Sequence, residues 1–188
     1  MIEPKVSEGK VVFGPCRLSY THLFEPYKNN NDDKDKGKFQ TNVLIPKSEK
    51  KTVAAIRQAI EYAKKAGVTA KWGGNEPKKL DMPLRDGDLD KDDEVYEGMY
   101  YVNAKCRTRP GIVDVRKNII TDEEDVYSGM WAIVSVTFFP YDASGNKGVA
   151  CGLNNVMKTK DDAHLGGRVS AQADFEDINY GDDDDDDL

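Results

Sequence analysis

Histidine, cysteine and long apolar runs are all scarce in this sequence, and each scarcity removes a class of function. Only His22 and His164 occur, too few for a histidine-based metal centre. The three cysteines, Cys16, Cys106 and Cys151, are odd in number, widely spaced and set among apolar residues. They read as buried free thiols, not as a disulfide framework or a zinc site. No run approaches the roughly 20 apolar residues of a membrane span, and the N-terminal MIEPKVSEGK lacks the apolar stretch of a signal peptide. A cytoplasmic protein with no membrane partner is expected. The vocabulary of catalysis is also missing: there is no Walker loop, no nucleophile elbow and no Cys-x-x-Cys pair. The glycines of Gly145-Asn146-Lys147-Gly148 fall in a hairpin rather than between a strand and a helix, and the many carboxylates cluster where no burial would tune them. Neither an enzyme nor a cofactor is expected.

Base is absent altogether from the last stretch, Asp174 to Leu188, which holds nine acidic residues and ends in six aspartates and a leucine. Adjacent carboxylates repel one another and bury nothing, so residues 174–188 are expected to form a disordered acidic tail behind a domain of residues 1–173. The chain has 34 acidic against 27 basic residues; without the tail the balance is 25 to 27, a body of about +2 carrying a polyanion. Such a pairing suggests a groove for some other polyanion, with the tail as competitor or partner hook; solubility is the simpler alternative.

The body reads as mostly β. Lys10 to Tyr20 is rich in β-formers, with Gly14 and Pro15 marking a bulge. Val12, Cys16, Leu18 and Tyr20 are expected to face the core, and a register break near Gly14 to turn Arg17 outward. The polar, charged stretch from Glu25 to Lys38 reads as a mobile loop. Lys38 to Ile45 alternates, with Phe39, Thr41, Val43 and Ile45 on one face and Lys38, Gln40 and Asn42 on the other. Pro46 ends that strand, and Ser48 can cap a helix whose Val53, Ile56, Ile60 and Ala63 recur at helical spacing; Gly67 marks its stop.

Residues 70–97 read as a long loop, basic and aromatic around Trp72, then acidic. Asp86, Asp88, Asp90, Asp92 and Glu97 have calcium-loop spacing, but Lys91 stands where the sharp turn requires glycine, so a solvated acidic loop is the expectation. Two strands then begin alike, at Tyr96-Glu97-Gly98-Met99-Tyr100 and Tyr127-Ser128-Gly129-Met130-Trp131. In the first, Tyr101, Asn103, Lys105 and Arg107 share a face. The second runs from Trp131 to Tyr141, and Val149 to Lys158 returns as the closing strand.

Cations and aromatics alternating onto a polar sheet face suit single-stranded nucleic acid, because Lys and Arg follow phosphates while aromatic faces stack bases of any kind. The candidate contacts are Arg17, Lys38, Trp72, Tyr101, Lys105, Arg107 and Trp131. Against this stand a solvated lysine face and tryptophans in the core.

The run YSGMW followed by FFPYDASGNKGVACGLNNV, with PLRDGD, YEGMYYVNAK and RPGIVD upstream, resembles phage-encoded single-stranded DNA-binding proteins. The similarity spans about residues 11–167. It implies a five-stranded OB-fold barrel, here with one amphipathic helix, that coats single-stranded DNA in phage replication and recombination inside the host cytoplasm. It also implies an acidic tail, here Asp182, Asp183, Asp184, Asp185, Asp186, Asp187 and Leu188, that competes for the DNA groove and recruits phage replication or recombination proteins. The terminal Leu188 stands where related tails end in an aromatic residue. The other reading is an acidic-tailed interaction module that mimics nucleic acid and binds no DNA.

Overall fold

The computed structural model describes residues 1–28 and 35–166, together with 175 and 178. Apart from Phe175 and Ile178, the expected acidic tail lies outside these residues, as does the centre of the expected 25–38 loop. The elements in order are β1 (Lys5–Ser7), β2 (Lys10–Tyr27), β3 (Lys38–Pro46), α1 (Lys50–Ala70), β4 (Arg85–Asp86), α2 (Gly87–Asp90), β5 (Met99–Cys106), β6 (Gly111–Val113), β7 (Trp131–Ala143) and β8 (Asn146–Lys160). Five long strands close a ring: β2 pairs with β3, β3 with β5, β5 with β8, β8 with β7, and β7 with β2. Of these five pairings only β5–β8 is parallel; the short β6 also lies parallel to β8. This is the OB-fold barrel, with its helix inserted between the second and third barrel strands.

Local chemistry explains the inner face. Val11 and Phe13 point inward from the first part of β2, and Cys16 and Leu18 from the second, because the register against β7 shifts between Phe13 and Cys16. Gly14 permits the shift: its φ is +130°, and a Cβ there would lie 2.7 Å from the Ala132 carbonyl oxygen. The bulge turns Arg17 outward, as its position predicts. It also corrects two residues, since Val12 precedes the shift and points away from the core, and Tyr20 is exposed. The strand then runs on to Tyr27, beyond the expected loop boundary.

Helix α1 closes one end of the barrel with Val53, Ile56, Ala59, Ile60 and Ala63. Its ends differ from expectation. Glu49, not Ser48, is the N-cap and makes no side-chain cap bond, and Gly67 lies inside the helix. That glycine is a packing residue: a Cβ would come within 2.7 Å of both the Trp72 ring and Pro140. Trp72 is 6% exposed, and its indole N–H donates to the Tyr141 carbonyl at 3.1 Å. The three cysteines are free thiols, and burial pushes that of Cys16 up to about 12.

Candidate nucleic-acid interface

Strands β2, β3 and β5 present one continuous outer face. The register places Leu44 beside Tyr101, Asn42 beside Asn103 and Gln40 beside Lys105, and on the other side of β3 it places Arg17 beside Leu44 and His22 beside Gln40. Arg107 follows Cys106, the partner of Phe39, and therefore stands at the same end as Lys38. The expected alternation of β3 and β5 is present, but half of the face is covered.

The cover is the acidic loop, which is folded rather than merely solvated. Asp86 caps α2 by accepting from the Asp88 N–H, Asp93 caps the turn Glu94–Tyr96 by accepting from the Val95 N–H, and Asp88 accepts from the Gly98 N–H. Lys47 bridges the carboxylates of Asp86 and Asp88 at 2.6 and 2.7 Å. The lysine holds the Asp88 carboxyl below its ordinary range, and bonds to Asp86 and then Asp88 raise the lysine. Among the described residues no group of three or more His, Cys, Asp or Glu is disposed to hold a metal. The loop lays Tyr96 onto the sheet, fully buried, where its hydroxyl accepts from Asn42 at 2.8 Å and its ring meets Tyr101 edge-on at 5.2 Å. Tyr101 is only 6% exposed, and its hydroxyl donates to Asp90.

The other end is open. Lys38, Lys105 and Arg107 are exposed, and none of them pairs with a carboxylate among the described residues. The pKa of Lys105 is lowered by the atoms packed around it and then by the neighbouring charges of Lys38 and Arg85. Cations that repel one another without an intervening anion form a site for one.

Aromatic rings follow β2 from the edge of the cover, at Tyr20, to the open patch, where His22 pairs with Gln40 and Tyr27 with Lys38. Tyr20 is 54% exposed and has a φ of +47°, at the place where the β2–β3 register shifts between Ser19 and His22. The Lys91 ammonium lies 5.3 Å from its ring centre. His22 and Tyr27 stand 5.0 Å apart, with Tyr27 45% exposed. These residues were missed by sequence reasoning; the aromatic spacing along β2 was visible, but the second register shift that exposes Tyr20 was not.

Arg17 and Trp131 are brought together as register partners on β2 and β7, at the covered end and apart from the open cations. Arg17 donates to the carbonyls of Gly129 and Ala163 at 3.1 and 2.7 Å. The indole of Trp131 donates to Asp162 at 2.7 Å, with the Lys160 ammonium 4.7 Å from its ring centre. Trp72 joins neither group. Buried against α1, it is a core residue, which corrects its reading as a platform for bases. Asp182 to Leu188 lie outside the described residues.

Residues 9–188 match the family model described as the ssDNA-binding protein of Enterobacter phage Enc34. Among solved structures, the single-stranded DNA-binding protein from bacteriophage Enc34 in complex with ssDNA is 25% identical, with a TM-score of 0.72 over 84% of this chain and 90% of that one. A second structure of the single-stranded DNA-binding protein from bacteriophage Enc34 is 26% identical, with a TM-score of 0.70 over 89% of this chain and 90% of that one. The gp2.5 single-stranded DNA binding protein encoded by bacteriophage T7 is 18% identical, with a TM-score of 0.60 over 92% and 98%, a likeness of fold. No curated protein matches the chain.

Proposed function

Since the chain belongs to the family of the phage Enc34 single-stranded DNA-binding protein, we propose that it coats single-stranded DNA without sequence preference and without catalysis. The observation that carries this reading is the open cationic patch. Lys38, Lys105 and Arg107 converge on one sheet face with no carboxylate among the described residues to satisfy them. Phosphates follow these three side chains, with Arg85 alongside, while bases stack on Tyr20 and the His22–Tyr27 pair. Stacking needs an unpaired base, so duplex DNA gains only the phosphate contacts.

Residues 1–173 carry the binding, and residues 174–188 act as a tethered competitor that also recruits phage replication or recombination proteins. The nine acidic residues of this tail and the balance near +2 of the body support that division.

The test is binding of a fluorescent oligo-dT and of its duplex counterpart across a salt series. Tight single-strand binding that weakens with salt, and weaker duplex binding, is the expected result. Failure of both to bind at low salt, even after residues 182–188 are removed, would leave the barrel as a scaffold for an acidic interaction tail.

A further inference from the structure

The corner where Arg17 meets Trp131 is filled by the chain itself. On leaving β8 the chain lays residues 161–166 across it. The Asp161 carboxylate lies 2.7 Å from the Lys158 ammonium and accepts from the Tyr127 hydroxyl at 2.6 Å. Asp162 accepts from the Trp131 indole at 2.7 Å and stands 3.8 Å from Arg17. Two residues on, the His164 ring lies flat on Tyr127, with centroids 3.9 Å apart and planes 6° from parallel.

An anion among cations, followed by a flat heteroaromatic ring on a tyrosine face, reproduces the two groups a nucleotide presents. His164 is an exposed residue, so its stack is a surface contact that a base can replace. The corner also opens onto the exposed aromatics of β2. A cleft of about 600 Å³ is lined by Tyr20, His22, Tyr127 and His164, with Asp93 and Val95 of the acidic loop at its margin. We propose that Arg17, Tyr127, Trp131 and Lys158 form a further nucleotide subsite of the same groove, which residues 161–164 occupy as a nucleotide surrogate until single-stranded DNA displaces them. The ligand is one unpaired nucleotide, its base on Tyr127 and its phosphate between Arg17 and Lys158. The surrogate is separate from the aspartate run, and removing residues 182–188 leaves it in place. This inference rests on the single-strand reading above.

The experiment uses the full chain, a variant carrying Asp161→Ala, Asp162→Ala and His164→Ala, and the same variant with Tyr127→Ala added. Fluorescent oligo-dT is titrated at low salt while tryptophan emission is followed; Trp72 is buried, so an emission change reports Trp131. The triple variant is expected to bind about fivefold more tightly or better, with a deeper quench, and the added Tyr127→Ala to abolish the gain. The single change His164→Ala, at an exposed side chain, keeps part of the gain and guards against loss of fold. If the native chain binds and the triple and single variants bind no better, the segment is only a structural clasp and the subsite is overturned. If the native chain itself does not bind, the single-strand reading falls and this inference with it.

Discussion

The two ends of the outer face are built from the same residue types but differ in what stands against the cations. At the open end, Lys38, Lys105 and Arg107 face solvent, and the charge of Lys38 acts on Lys105. At the covered end, Lys47 is held by Asp86 and Asp88, Lys158 by Asp161, and Arg17 by two carbonyls with Asp162 nearby. A cation already paired gains little from a phosphate, because it must first give up its partner. Composition therefore locates a basic face, and pairing decides which part of it is available.

The two tryptophans provide the strongest test of that distinction. Trp72→Ala removes a buried ring packed against Gly67 and is expected to cost about 3–5 kcal/mol in urea or thermal unfolding. Trp131→Ala, at a partly exposed position, is expected to cost far less. Equal losses would mean that Trp131 is as much a core residue as Trp72.

Next in size is the open patch. Replacing Lys38, Lys105 and Arg107 together by alanine is expected to weaken oligo-dT binding about a hundredfold at low salt and to lower the salt slope by about 2, at roughly 0.7 per phosphate contact. Arg17→Ala alone should change the slope little while residues 161–164 remain in place. A slope change for Arg17→Ala as large as that of the triple variant would erase the difference between the two ends. Tyr20→Ala should follow, costing about 1–3 kcal/mol of binding and leaving stability nearly unchanged. An unchanged affinity would move the bases elsewhere on the face.

Acid gives the smallest and most local effect. The Asp161 carboxyl is lowered by Lys158 and then by Tyr127, and that of Asp162 by the Trp131 indole N–H. A carboxyl lowered in the fold stabilises above its ordinary value and ceases to do so as the pH falls through the lowered one. The segment should therefore hold at neutral pH and loosen below about pH 4. Trp131 emission followed on acidification would detect the release, and Asp162→Asn should blunt the transition.

Much of the barrel was legible because its signals are local. The alternation of β3 and β5 follows from a two-residue repeat, and the inward stripe of α1 from a helical one. Both strands that begin with the Tyr-x-Gly-Met motif were recognisable from it. The ends of α1 were less legible, because Gly67 looks like a stop until Trp72 and Pro140 are seen to need the space of its missing side chain.

By itself the sequence determined which side chains could share a face, how the bulge at Gly14 turns Arg17 outward, and where charge of each sign accumulates. These depend on backbone periodicity and composition, which act over a few residues. Only the tertiary structure decided which of those side chains are available. Tyr101 is covered by a loop whose own aspartates and Lys47 fold it, Trp72 is drawn into the core, and Trp131 meets a carboxylate 31 residues further along the chain. Lys38 and Lys105 become neighbours only because β3 and β5 pair in one register. Availability is set by contacts between distant segments, and no local pattern in the chain encodes it.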